Sequence, residues 1–295
     1  MGKADLHMHT RYGDGMATVP ELLRYVDEHS DLDVIAVTEH DTLRAAAEAR
    51  ELHARAGYRF GLICGMEVTT LDGHLLALFI DDPVPSFRRI EETVEAIHRL
   101  GGLAIVPHPL SWLTRSVSER TLARVAAIAD DGVYFDGIEE YNLSPAGRLT
   151  SAKARRLNRD RFGLAAIGSS DAHFLASIGS AYTIFDGVTA ADLRRAIETK
   201  ATAGAAGQAP RMSELGYRNI ALQQWRGMMA TPRAMGWAPT IRSFVTSRRG
   251  HPQTPSPRRG EGEIVGPHPP APRWPGQGHG SPSSVEKGNE EGGGR

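Results

Sequence analysis

The sequence predicts an α/β protein built on a mainly parallel sheet or barrel. Two observations carry that expectation. Short apolar runs rich in β-branched residues alternate with segments of helical period as far as about residue 199. Capping and stop signals fall between them, where helices need to begin and end. With 40% apolar residues in 295, the chain also has enough hydrophobic side chains for a sizeable core.

Taken in order, the candidate strands are residues 4–9, 33–38, 61–68, 74–80, 103–107, 137–141, 164–169 and 180–185. Helices fill most of the gaps. Thr18 can cap the first, with Pro20 in its first turn and Glu21 reaching back as a capping box. Gly57, Gly101 and Gly163 suit helix ends. Thr189 and Asp192 open the helix carrying Leu193 and Ile197, after which 201–209 turns small and loose, so a first domain is expected over 1–204. Beyond it, Tyr217, Ile220, Ala221, Trp225 and Met228 recur at helical spacing, a stripe expected to pack back on the barrel. Residues 205–245 therefore read as an amphipathic helical extension of unknown role. From Thr246 onward Pro, Gly, Ser, Arg and Glu dominate, and 246–295 reads as a low-complexity, disordered tail.

Charge excludes some classes of function. Lys and Arg number 34 against 35 Asp and Glu, so no overall field draws the chain to nucleic acid or anionic lipid, and nucleic acid enters only as a substrate. The single Cys64, in the apolar run 60–64, has no internal disulfide partner and reads as a core thiol in a reducing compartment. No signal peptide or membrane span is legible, which suits a soluble cytoplasmic protein.

The chemistry lies where the apolar runs stop. The first ends in Asp5-Leu6-His7-Met8-His9-Thr10, and a strand's period of two aims His7 and His9 to one side. Glu39 and His40 end the second run, Glu67 the third and His108 the fifth, while His74 opens the fourth and Asp171 and His173 follow the seventh. In α/β barrels the loops after the strand ends converge on one rim, so these groups can meet as a metal cup. Neutral imidazoles with anionic carboxylates suit zinc, manganese or iron better than calcium or magnesium. His29, His53 and His98 fall on helices and read as ordinary helix histidines.

The successive motifs DLHMHT, TEHDT, GMEV followed by GHLLAL, VPHP and SSDAH resemble, in order, those of the PHP family, named for polymerase and histidinol phosphatase. The resemblance spans residues 4 to about 200. It implies a distorted (βα)7 barrel of the PHP type and two or three divalent metal ions, Zn, Mn or Fe, at a site that cleaves phosphoesters. Residue by residue it implies a first ion on His7, His9, Glu67 and Asp171, with Glu67 bridging to a second held also by His74 and His108. A third would sit on Asp14, His40 and His173. Glu39 stands where many relatives carry Asp, and keeps the charge.

The function expected on this basis is hydrolysis of a small phosphomonoester, a nucleotide or an oligonucleotide end by a metal-bridging hydroxide. Asp171 and His173 would orient water or shuttle a proton as the catalytic pair. Asn142, on the rim, and Arg11, by charge, are candidate substrate contacts. Two alternatives use the same cup: an amide or lactone hydrolase, and a non-catalytic, metal-stabilised regulatory module. The complete ligand set argues against the second. Oligomeric state is not legible.

Overall fold

A computed structural model of the chain describes residues 1–234. The expectation for 246–295 falls outside the described residues, as does 205–245 beyond Ala234. In chain order the elements are β1 (Gly2–Asp5), α1 (Val19–His29), β2 (Val34–His40), α2 (Arg44–Ala56), β3 (Gly61–Thr69), β4 (His74–Leu78), α3 (Ile90–Arg99), β5 (Leu103–Val106) and α4 (Glu119–Ala126). There follow β6 (Gly137–Asn142), α5 (Pro145–Arg148), α6 (Ser151–Leu157), β7 (Ala165–Ser169), β8 (Ala181–Phe185), α7 (Ala190–Glu198), β9 (Ala203–Ala206), α8 (Met212–Leu215) and α9 (Tyr217–Ala234).

Local chemistry accounts for the helix ends. Thr18 and Glu21 form a reciprocal capping box at α1, and Thr189 and Asp192 form another at α7. Gly57 closes α2 at a φ of 66°, in the left-handed region that glycine enters without a Cβ clash.

One sheet holds all the strands among the described residues, in the order β7-β6-β5-β4-β3-β2-β1-β8-β9. It nearly closes on itself. Across the gap Gly168 N donates to Thr183 Oγ1 at 3.0 Å, and the same hydroxyl donates to Gly168 O at 2.9 Å. The architecture is the expected distorted α/β barrel, but its ladders are not mainly parallel: β1 with β8, β3 with β4, β4 with β5 and β8 with β9 all run antiparallel. A tight turn explains one of these. Thr70 N donates to Gly73 O at 3.0 Å, and so short a connection can only return the chain antiparallel. Two further readings change. The first strand ends at Asp5, leaving His7 and His9 beyond it, and 201–209 holds the strand β9 rather than a loose end.

Strand alternation divides the core into layers. Val34 and Ala36 of β2 pack inside with Ile63, Leu76, Leu78, Ile105 and Ile167, and Leu193 and Ile197 of α7 join that cluster. Ile35 and Val37, one position over, pack outside with Leu22, Leu23 and Val26 of α1 and Ala45, Ala46 and Ala49 of α2. The outer faces of β4 and β5 are covered by Ile90, Val94 and Ile97 of α3 and by Leu122 and Val125 of α4. Cys64 is half-buried and free. No described helix is long and apolar enough to cross a membrane.

Candidate metal centre

The inward-facing positions change character along each strand. In β2 they run Val34, Ala36, Thr38, His40, and in β3 Ile63, Gly65, Glu67. In β7 the same spacing leads from Ala165 and Ile167 through Ser169 to Asp171. Apolar side chains thus fill the barrel below, and ionisable ones gather at one end above them.

Glu67 lies at the centre of that end. Its Oε1 is 2.9 Å from both His74 Nδ1 and His108 Nε2. Its Oε2 is 3.2 Å from His7 Nε2, 3.4 Å from His9 Nε2 and 3.1 Å from His40 Nδ1. Asp171 Oδ1 approaches His9 Nε2 at 3.3 Å and His7 Nε2 at 3.5 Å. Asp14 Oδ2 is 3.0 Å from His173 Nε2, and Oδ1 is 3.7 Å from His9 Nδ1 and 3.8 Å from His40 Nε2.

All nine residues singled out in the sequence as ligands therefore converge. Their ligand atoms form four overlapping groups, each within 4.8 Å: His7, His9 and Glu67; His7, His108 and Asp171; His40, Glu67 and His74; and His9, Asp14, His40 and His173. The expected trio Asp14, His40 and His173 comes together with His9 added. The two oxygens of Glu67 divide between the His7 and His9 side and the His74 and His108 side, the disposition a bridging carboxylate needs.

Several buried atoms here lack a hydrogen bond. His7 Nε2, His9 Nε2, His40 Nδ1 and His74 Nδ1 lie near carboxylate oxygens but meet none at a hydrogen-bonding angle, Asp14 Oδ1 likewise forms no hydrogen bond, and all turn to the cup. Buried polar atoms are costly to leave unsatisfied, so such a concentration of lone-pair donors fits metal ions. Outer partners support the same orientation. Nδ1 of His7 meets Glu139 Oε1 at 3.0 Å, Nδ1 of His108 meets Ser116 Oγ at 2.9 Å, and Nδ1 of His173 meets the Asp171 carbonyl at 3.0 Å. Each contact leaves the opposite ring nitrogen to the cup, the usual second layer of a metal site. Glu139 is itself held by the His108 amide at 2.6 Å and by Asn142 Nδ2 at 2.7 Å.

Without metal, the carboxylates and imidazoles charge one another. Burial opposes the charged form of His7, yet Asp171, Glu67 and Glu139 outweigh it and hold its pKa well above the ordinary imidazole value. His9 is raised likewise, against its burial, by Asp171 and Glu39. Glu67 and Asp171 are held well below the usual carboxylate range, because the surrounding imidazoles overcome burial. Beneath the cup, burial pushes the Asp5 carboxyl up to about 6, and it accepts the amides of Ser170 and Gly179 at 2.9 and 2.8 Å.

Comparison with known proteins agrees. The family model described as PHP-associated matches residues 152–202. An uncharacterised protein of Methanocaldococcus jannaschii is 30% identical over 151 residues, covering 48% of this chain and 81% of that protein. A two-domain Bacteroides vulgatus protein, described as containing a PHP-like metal-dependent phosphoesterase, superposes with a TM-score of 0.56 at 20% identity, over 76% of this chain and 69% of that one. The chain belongs to the PHP family. A 5'-3' exoribonuclease, Rnm, of Salmonella typhimurium is 38% identical over 88 residues, but the match spans only 28% of this chain and 30% of that enzyme.

Of the two residues expected as substrate contacts, Asn142 is taken up inside the protein and Arg11 lies at the surface beside the candidate centre. Asn142 is buried at 1% exposure, and its side chain is spent inside the protein, on Glu139 and on the amide of Ser144. Arg11 is exposed, and its Nε donates to Met16 O at 2.8 Å, just past the turn that carries Asp14. His53 and His98 lie apart, on Phe60 O and Asp136, and His29 is exposed. Two of the candidate ligand positions are backbone outliers: His108 has a φ of 29° and Asp171 a φ of 53°, strain of a kind that clusters at functional sites. Sequence reasoning missed the roles of Glu139, Ser116 and Gln223. For Glu139 the signal was present, because it follows Gly137 at the inward spacing of β6. Gln223 gave none.

Proposed function

We propose that the chain is a metal-dependent phosphoesterase that hydrolyses a small phosphomonoester, a nucleotide or an oligonucleotide end. One observation carries the reading: nine potential ligand groups, Glu67 among them, gather at one end of the barrel with their ligand atoms in four overlapping clusters. His7, His9, Glu67 and Asp171 would hold one divalent ion, Glu67, His74 and His108 a second, and Asp14, His40 and His173 a third. Zinc, manganese or iron suits this mixture of imidazole and carboxylate. Charge supports two or three ions. Asp14, Glu39, Glu67, Glu139 and Asp171 are buried carboxylates, and two dications offset four of their five charges while three exceed them by one.

Bound there, the ions would make water available as a nucleophile near neutral pH and would neutralise charge on the phosphoryl oxygens. The chain's own residues supply geometry and proton handling. Glu139 orients His7, Ser116 orients His108, and Glu39 braces His9 at 3.4 Å and Thr10 at 2.9 Å. His40 and His173, with side chains 14% and 17% exposed, are the wettest of the nine and mark the mouth. Of the expected catalytic pair, Asp171 would orient the attacking water, while His173, with Nδ1 on the Asp171 carbonyl and Nε2 turned to the third ion, would serve as a ligand rather than as a proton donor. The likeness to an exoribonuclease supports a nucleotide end among the substrates.

The test is turnover of p-nitrophenyl phosphate and of short 5'-phosphorylated oligonucleotides by the metal-loaded full chain. His9→Ala and Asp171→Ala should each lower kcat/KM on the order of 10²-fold or more, as misplacing a reacting group does. Unchanged activity in both variants would remove this site from the reaction. Turnover of lactones or amides without phosphoester cleavage would instead favour the second chemistry open to such a cup.

A further inference from the structure

Asp14 differs from the other eight groups in its support. They lie on or directly beside strands, whereas Asp14 sits in the turn 11–14, where a side chain has no ladder to hold it. Glu39 of β2 and Arg44 of α2 flank that turn, through Thr10 and the Tyr12 ring, and its ends are tied by backbone bonds. Arg11 N donates to Ala17 O and Met16 N to His173 O, both at 2.8 Å.

The helix α9 also reaches that turn. Its expected apolar stripe stays largely open to solvent at two positions, Tyr217 and Met228 being each 70% exposed. The helix meets the barrel through a polar face. Gln223, the one buried residue among the described side chains of α9, is 7% exposed and donates from Nε2 to Asp14 Oδ2 at 3.3 Å. Its Oε1 accepts from Gln224 Nε2 at 2.8 Å. Arg226 Nη2 donates to Arg11 O at 2.9 Å, gripping the start of the same turn. Gly227, one helical turn after Gln223, allows the approach, since a Cβ there would lie 3.1 Å from Asp14 Oδ2.

We infer that Gln223 is a positioning residue for Asp14, and that α9 thereby completes the metal group formed with His40 and His173. The physical reason is division of labour between the two carboxylate oxygens. Oδ2 is occupied by Gln223 and His173, so the carboxylate cannot rotate freely. Oδ1 is left buried and without a hydrogen bond, turned toward His9 and His40. Burying a glutamine amide is costly unless it is used, and this one is used on a candidate ligand.

The inference rests on the metal reading proposed above, and one titration separates the two. The full chain, stripped by chelator and titrated with Mn²⁺, is followed by bound metal per chain and by melting temperature. Gln223→Leu keeps the side chain's bulk and removes the donor. It should weaken one equivalent of Mn²⁺ by about 10- to 100-fold, leaving the other equivalents and the metal-free melting temperature unchanged. Gly227→Val, which wedges α9 away, should weaken the same equivalent, and Asp14→Ala should abolish it. Full Mn²⁺ affinity in Gln223→Leu, beside an equivalent lost in Asp14→Ala, overturns the role of Gln223 alone. A wild-type chain that takes up no metal overturns both readings.

Discussion

At the scale of single residues, the cup depends on proton bookkeeping that metal must reverse. In the metal-free chain His7, His9 and His173 titrate above their ordinary value, each opposed by its burial and lifted by neighbouring carboxylates. An ion can bind these nitrogens only after their protons leave. Metal affinity should therefore rise with pH through neutrality, with proton release visible when binding heats are compared in buffers of different ionisation enthalpy. Identical heats in all buffers would contradict this. Glu139 offers a second residue-scale test. Glu139→Gln leaves His7 Nδ1 and the His108 amide with a weaker, uncharged partner, so metal affinity should fall by about 10- to 100-fold while the fold persists. Metal titration with circular dichroism as the fold control measures it.

At the scale of elements, closure of the sheet decides how the strand ends meet. β7 lies against β8 and β9 so closely that a Cβ on Gly168 would stand 2.2 Å from Tyr182 O and 2.9 Å from Ala205 N. Both contacts are backbone and cannot swing aside. Gly168→Ala should therefore destabilise the chain by about 3 kcal/mol, the upper part of the overpacking range, as read by urea denaturation. Because Ser169 and Asp171 follow directly on β7, the same variant should also weaken metal binding. A stability within 0.5 kcal/mol of wild type, roughly the scatter of surface substitutions, would show that the gap is looser than drawn.

For the whole molecule, the proposed ligands join segments from residue 7 to residue 173, so metal bound there would act as a staple across the barrel. A ligand that binds only the folded state at about 1,000 times its Kd adds roughly 4 kcal/mol, and chelation should lower Tm accordingly. The pH dependence should invert with it. Raised imidazoles contribute stability that is complete below about 6.5 and lost as pH rises through their folded values. Lowered carboxylates contribute above about 4 and lose it as pH falls through theirs. The metal-free chain should thus be most stable in weak acid and lose Tm toward pH 9, while the loaded chain gains stability as its affinity rises. A metal-free Tm that climbs steadily from pH 6 to pH 9 would refute the assignment.

By itself the sequence determined the features set by neighbours a few residues away. The capping boxes at Thr18 and Thr189 and the stops at Gly57, Gly101 and Gly163 are local hydrogen-bonding and backbone preferences, and they stand in the structure. So does the change from apolar to ionisable residues along β2, β3 and β7, because a period of two needs no knowledge of the partner strand. Tertiary structure alone decided the rest. The strand β9, Ala203–Ala206, has no strand-forming side chains and exists because β8 offers it an edge. Glu139 reaches His7 across 132 residues, and Gln223 reaches Asp14 across 209. Contacts of that span follow from how the sheet closes and where α9 comes to rest, and no local pattern records either.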